Sequence, residues 1–302
     1  IKQHPPDAAI LTDSPDFHLR LARHLKRMGV PVFYLVAPQV WAWRQGRVRI
    51  IRDRVRRLFC LFPFEEPWFR SRGVNADYIG HPLATMVRPR IDRDEFFARY
   101  QLRQNVPVLS LLPGSRAGEA ARHLPDLLDA VALLQQKFHL QVLLATPRGF
   151  EKRGALATFR ERFSALSIKV IEDEAWEVLA YSEVALAASG TVTVEAAVLG
   201  TPMVTYYKVT ELSWWAGQRL VKVPYLSMVN LIASRQVVPE LIQHDMTPEN
   251  LATATATLLE DVSARTKMRA DLLAIRTALT GPSDPFVRAA SLLAADLGHG
   301  IK

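Results

Sequence analysis

The residues from Ala187 to Glu195, Ala-Ala-Ser-Gly-Thr-Val-Thr-Val-Glu, carry the strongest chemical signal in the chain. The alternating apolar segment before them, Glu183–Ala187, reads as a strand, and Val194–Leu199 reads as a helix. A strand, a Ser189-Gly190-Thr191 turn and a helix start together make an anion seat. Backbone N–H groups without intrahelical partners point outward there, backed by the positive end of the helix dipole. Gly190 lets the backbone approach a ligand, and Glu195, expected on the first turn, can accept from the hydroxyls of a sugar. An ordinary strand-to-helix turn with a Ser/Thr cap accounts for the same residues. Pro113-Gly114-Ser115-Arg116 is a second such turn, with Glu119 following. Its amides and the Arg116 guanidinium could grip a pyrophosphate, or the turn could simply be tight and Arg116 solvated. Asp13 and Asp16 flank Pro15. Asp16 is expected to cap a helix, which leaves Asp13 free to take a proton from an attacking hydroxyl. His81, ahead of Pro82, fits acid/base or phosphate-binding work as readily as a structural role.

These residues must be positioned by regular elements. The chain has 302 residues, 49% of them apolar, enough for about two domains. Strand-like runs at Ala8–Thr12, Val32–Ala37, Leu58–Phe62 and Asn75–Ile79 alternate with helical segments. One helix carries Phe17, Leu21, Leu25 and Met28 on its expected apolar face and ends at Gly29; a basic one spans Gly46–Arg57. After a charged boundary, Arg88–Asn105, the alternation resumes. Strand Val108–Leu112 leads to a helix with Leu124, Leu127, Leu128, Val131 and Leu134, and strand Gln141–Ala145 follows. Thr247-Pro248 and Asp284-Pro285 each open a helix with a capping residue and a proline in the first turn. This is the pattern of doubly wound parallel α/β sheets. Asp13, Pro38-Gln39, Gly80-His81, Pro113–Arg116 and Ser189–Glu195 all fall at strand C-terminal ends. Two such sheets facing each other would bind ligands in the cleft at those ends.

Composition removes several function classes. The single cysteine, Cys60, rules out a disulfide framework and reads as a buried core residue. No apolar run reaches the roughly 18 residues of a membrane span, and the opening residues show no signal-peptide pattern. No Cys/His or carboxylate spacing suggests zinc or calcium, and no Gly-x-Ser-x-Gly is present. The formal charge of +8 favours anionic partners. The run Arg44, Arg47, Arg49, Arg52, Arg54, Arg56 and Arg57, beside Trp41 and Trp43, admits three readings. It could be a nucleic-acid face without any accompanying signature, a surface for anionic lipid, or a solvated helix. Trp214 and Trp215, with Arg219 and Lys222 nearby, suit an interfacial or acyl-chain contact or core packing.

Taken together, several segments closely resemble the bacterial lipid-A-disaccharide synthase family. They are Pro38-Gln39-Val40-Trp41-Ala42-Trp43-Arg44, Gly80-His81-Pro82-Leu83, Leu112-Pro113-Gly114-Ser115-Arg116, Ser189-Gly190-Thr191 with Glu195, Val229-Asn230-Leu231-Ile232-Ala233, and Val238-Pro239-Glu240-Leu241-Ile242-Gln243. The resemblance implies a GT-B-type architecture of two Rossmann-like domains. Residues 1–95 would form a partial acceptor-side domain, 96–275 the UDP-sugar-binding domain and 276–302 a helical tail. The implied enzyme is an inverting glycosyltransferase. It joins UDP-2,3-diacylglucosamine to 2,3-diacylglucosamine 1-phosphate (lipid X), releasing UDP, on the cytoplasmic face of the inner membrane. It uses no metal or other cofactor. The implied roles place Ser189, Gly190 and Thr191 at the phosphates, Glu195 at the ribose, Arg116 at the departing pyrophosphate and Asp13 as the base, with Asn230 and Gln243 completing the nucleotide pocket. Implied partners are the two lipid substrates, the anionic membrane surface and a second copy in a homodimer with exchanged C-terminal parts; nucleic acid is not among them. Met228-Val229 and Ser234 depart from the family's usual Leu-Pro and Gly. The family's first strand and its Gly-Glu-x-Ser-Gly-Asp loop are expected upstream of Ile1. The chain therefore reads as a fragment with an incomplete first domain, poorly active by itself. A UDP-sugar epimerase, a transferase with another acceptor, and a non-catalytic nucleotide-binding or membrane-attached module are the alternatives.

Overall fold

The computed structural model describes residues 4, 6–150, 154 and 156–298. The chain separates into two compact units. The first comprises the residues up to Thr85, Gln218–Val223 and those from Thr277 onward; the second comprises Met86–Gly217 and Pro224–Arg276. Each is built on a parallel sheet.

The first unit holds β1 (Ala9–Thr12), β2 (Val32–Leu35), β3 (Arg57–Cys60) and β4 (Ala76–Tyr78), in that spatial order and all parallel. Phe33, Phe59 and Ile79 are buried on the sheet, and Ala289 of the last helix (Pro285–Asp296) packs against them. Asp284 caps that helix, accepting from the amides of Phe286 and Val287, and Asp296 at its other end takes a bidentate bond from Arg57 at 2.7 and 2.9 Å. The helix Pro15–Arg27 buries Leu19, Ala22 and Leu25 and leaves Phe17 65% exposed, so its inward face is turned from the one expected. Nor does Asp16 cap it. The preceding Ser14 sits in left-handed conformation, and the Asp16 carboxylate pairs with Arg44 and Arg47. Much of the basic run is likewise spent internally. Arg54 donates to the Leu19 carbonyl, Arg56 to the Asp296 carbonyl, and Arg57 also pairs with Asp77. In place of a single Gly46–Arg57 helix, a short turn at Gln45–Arg47 precedes the helix Val48–Arg54, and Arg57 lies in β3. Trp41 is a core residue whose indole donates to the buried Glu65 at 2.9 Å, while Trp43 is 40% exposed beneath Arg44.

Gly80-His81 owes its residue types to packing. Gly80 has φ +93, and a Cβ there would stand 3.0 Å from the Thr280 carbonyl oxygen. The His81 amide donates to Leu279, its Nδ1 accepts from the Leu83 amide at 3.2 Å, and its ring lies against Phe62. Burial lowers the His81 pKa from 6.5 to about 4, so the imidazole is neutral near pH 7. Glu65, which accepts from the Phe62 amide, is raised by burial from 4.5 to about 7 against three N–H donors. The two shifts oppose each other in stability. As pH falls below 6.5 the unfolded chain protonates the histidine first, which withdraws stability until about pH 4. As pH falls from 7 to 4.5 the folded chain protonates Glu65 first, which adds stability. Between these limits the slopes cancel. The variant His81→Gln is therefore expected to gain stability on acidification relative to the unmodified protein, by about 1.4 kcal/mol per pH unit, in urea melts at pH 5 and 6. Equal slopes would mean that His81 titrates normally.

The second unit has six parallel strands: β5 (Val108–Leu112), β6 (Gln141–Thr146), β7 (Ile168–Glu172), β8 (Val184–Ala188), β9 (Met203–Tyr207) and β10 (Glu240–Ile242). Their spatial order is β10-β9-β8-β5-β6-β7. β5 and β8 are buried at every residue, as strands covered on both faces must be. The helix Ala117–Lys137 buries Leu124, Leu127, Leu128, Val131 and Leu134 as expected. Thr247 caps Pro248–Glu260 through the Asn250 amide. Ser234, where the family usually has glycine, closes the helix Met228–Ala233 at φ +53, the left-handed region that favours glycine. Strands β7, β9 and β10 have no counterpart in the sequence reading.

Candidate active site

The chain leaves β5 toward β6 on one side, and β8 pairs with β5 on the other, so the β5/β8 boundary is the sheet's topological switch point. Open α/β sheets bind ligands at such points. A cavity of about 630 Å³ lies there, within the usual range for a small-molecule site. Its lining follows the strand ends: Gly114–Arg116 after β5, Thr146 and Pro147 at the end of β6, Asp173, Ala175 and Trp176 after β7, Ser189–Val192 after β8, and Tyr207 at the end of β9. From β8 to β7 is three strand spacings, about 14 Å, so the cavity suits an elongated ligand.

At the β8 end, Gly190 precedes the helix Thr191–Leu199. The amides of Thr191 and Val192 have no carbonyl one turn back to donate to. Gly190 has φ 169, an extended conformation open to any residue, and a Cβ added there meets no heavy atom within 4 Å. Ser189 turns its hydroxyl away, donating to the Leu226 carbonyl at 3.1 Å. The Thr193 hydroxyl closes the first turn onto the Gly190 carbonyl at 2.8 Å. Glu195 lies one turn deeper than expected, as the fifth residue of the helix. It lines the cavity and accepts from the Trp176 indole at 3.1 Å. Burial raises its pKa, and the indole N–H works in the opposite direction.

At the β5 end, Gly114 has φ +115, and a Cβ there would come within 2.7 Å of Glu119 Cδ. The loop is fixed from beneath. His123, fully buried, donates from Nδ1 to the Pro113 carbonyl at 2.8 Å and accepts at Nε2 from the Lys208 amide at 3.1 Å. The Tyr206 hydroxyl donates to the Leu112 carbonyl. Burial holds His123 below its ordinary pKa, consistent with the neutral form that these bonds require. Arg116 lines the cavity, and its guanidinium has no partner among the described residues. The helix-start amides and this guanidinium line one cavity, and both are groups of the kind that meet an anion.

Two expected members lie outside the cavity. Asn230 is fully buried. Its Nδ2 donates to Val238 O and Glu240 Oε1, and its Oδ1 accepts from the amides of Val237 and Val238. Glu240 in turn accepts from the Leu226 and Ser227 amides, so Asn230 supports the segment that receives Ser189. Gln243 is also spent: it pairs with the Val209 amide and carbonyl and donates to Glu211 at 2.7 Å. Neither side chain has a polar group to offer a nucleotide in this arrangement. Asp13 is in the first unit, just after β1, at φ +54. Its carbonyl accepts from Tyr34 Oη at 2.5 Å and from His18 Nδ1 at 2.9 Å. Trp176, Thr146, Asp173 and Arg90 also line the cavity and went unseen in the sequence. Finding the strand Ile168–Glu172 would have placed Asp173 and Trp176 at a strand end.

The chain is 55% identical over 289 residues to the lipid-A-disaccharide synthase of Solibacter usitatus, covering 96% of this chain and 75% of that protein. It is 38% identical to that of Geobacter sulfurreducens, covering 100% and 78%. Among solved structures, the UDP-GlcNAc 2-epimerase of Neisseria meningitidis bound to UDP-GlcNAc superposes with a TM-score of 0.59 at 12% identity, covering 97% and 76%. That likeness shows the GT-B-type fold of paired parallel-sheet units. The sequence itself matches the lipid-A-disaccharide synthetase family over residues 1–283, and to that family the chain belongs.

Proposed function

We propose that the protein condenses UDP-2,3-diacylglucosamine with 2,3-diacylglucosamine 1-phosphate, giving the disaccharide 1-phosphate of lipid A and UDP. The acceptor 6-hydroxyl attacks the donor's anomeric carbon with inversion. The new C–O bond forms as the bond to the UDP β-phosphate oxygen breaks, and Asp13 takes the hydroxyl proton. Charge developing on the diphosphate is met by Arg116 and by the Thr191 and Val192 amides, already in place before reaction. Glu195 receives the ribose, and Asn230 and Gln243 act through the backbone they hold. The observation that carries the reading is an Arg116 guanidinium without a partner among the described residues, lining the same cavity at the switch point as the helix-start amides of Thr191 and Val192.

A membrane-surface contact through the exposed Leu212 and Trp215, and a homodimer that exchanges C-terminal parts, belong to the same proposal. The proposed attachment is peripheral, at the anionic cytoplasmic face; among the described residues no helix is long and apolar enough to cross a membrane. Titration calorimetry with UDP, paired with an assay of disaccharide formation from the two diacylated sugars, tests the reading. No heat with UDP removes the donor pocket. Turnover of non-acylated UDP-N-acetylglucosamine in place of the diacylated donor would favour the epimerase alternative.

A further inference from the structure

We propose that Trp176 is a positioning residue for the donor, holding one oxygen of Glu195 so that the other is presented to the ribose hydroxyls; the role rests on the UDP reading above. The two side chains come from different strand ends. Trp176 belongs to the helix Ala175–Ala180 after β7 and Glu195 to the helix Thr191–Leu199 after β8. Both line the cavity, and the indole Nε1–H donates to Glu195 Oε1 at 3.1 Å. Among the described residues Oε2 has no partner, so it is the oxygen left for a ligand.

Without the indole, the glutamate would have to give up its rotamer freedom at the moment of binding, and that cost would be charged to affinity. The indole transfers the cost to folding. Its N–H also favours the ionised carboxylate, which burial alone disfavours. The anchor is itself fixed. Glu177, next in sequence and 1% exposed, accepts from the Arg90 amide at 2.6 Å and from Arg90 Nε at 3.0 Å. A carboxyl with one oxygen tied and one open to accept matches a vicinal diol, whose hydroxyls donate. A 2′,3′-dideoxyribose cannot use it.

The test is calorimetric titration of UDP and 2′,3′-dideoxy-UDP into the protein and its Trp176→Phe variant, which keeps most of the ring's bulk and loses the N–H. UDP affinity should fall about tenfold, and dideoxy-UDP affinity should stay within about twofold. In a Glu195→Gln background the same change should then cost UDP little, since the two residues act as one unit. Equal weakening of both nucleotides by Trp176→Phe would make Trp176 a general wall of the cavity and overturn the role, as would no weakening of either. In both cases the UDP reading stands. Failure of the unmodified protein to bind UDP removes that reading and this role together.

Discussion

Replacing Asp13 by asparagine is expected to lower turnover by about 10²–10⁴-fold, the usual worth of a general base, while UDP affinity stays within about twofold. The fold around Asp13 does not depend on its carboxylate. The groups that bind here, Tyr34 Oη and His18 Nδ1, use the backbone carbonyl, which asparagine keeps. The left-handed φ of +54 is one that asparagine tolerates as well as aspartate. Burial first, and the Asp13 charge second, push the Tyr34 phenol up to about 12, so it remains a donor at any working pH. Strain also concentrates here, since Ser14 and the β-branched Val36 are likewise left-handed beyond β1 and β2. Backbone strain of this kind persists where surrounding structure holds it and clusters at working sites. Asp16 is the natural control. Its carboxylate is already paired with Arg44 and Arg47, so Asp16→Asn should change turnover by less than about threefold. Equal activity of Asp13→Asn and the unmodified protein would remove Asp13 from the chemistry.

How far the sequence disclosed this arrangement depended on what each residue's neighbours do. β8 is wholly apolar and β5 is broken only by the buried Ser110, and such runs announce strands buried on both faces. β7 (Ile-Lys-Val-Ile-Glu) and β10 (Glu-Leu-Ile) are edge strands that carry charges, so the same signal is diluted. Missing β7 hid the cavity wall at Asp173 and Trp176. The error over Asp16 has a conformational cause. A capping side chain needs an extended backbone at the residue before the helix, whereas here the turn after β1 is left-handed at both Asp13 and Ser14. Asn230 and Gln243 were assigned to the nucleotide pocket because they lie in segments that resemble the family. Only the tertiary partners, Glu240 with the 237–238 amides and Val209 with Glu211, show that their polar atoms are already used. Gly190 lies on the cavity lining at an extended φ of 169 with no protein atom within 4 Å of an added Cβ, so neither its dihedrals nor its protein neighbours require a glycine.

That freedom makes Gly190→Ala the sharpest probe of the donor seat. At φ 169 an alanine meets no conformational penalty, and its methyl would touch no protein atom within 4 Å. The unfolding midpoint should therefore hold or rise slightly, since alanine reduces the freedom of the unfolded chain. The added carbon would stand instead at the mouth of the Thr191 and Val192 amides, where a phosphate must come within hydrogen-bonding distance. Hydrogen bonds to a charged group contribute about 1.5–3 kcal/mol each. Displacing a phosphate from one or two of them should cost about 3 kcal/mol, roughly a hundredfold in UDP affinity. Gly114→Ala cannot make the same separation. At φ +115, with Glu119 in the way, it should lower the unfolding midpoint and the affinity together. Calorimetry and thermal melts on the two variants, run side by side, distinguish a glycine required by its backbone from one required by its ligand. Undiminished UDP binding by Gly190→Ala would place the phosphates elsewhere in the cavity, and Arg116 would lose its partner in the proposed departure of UDP.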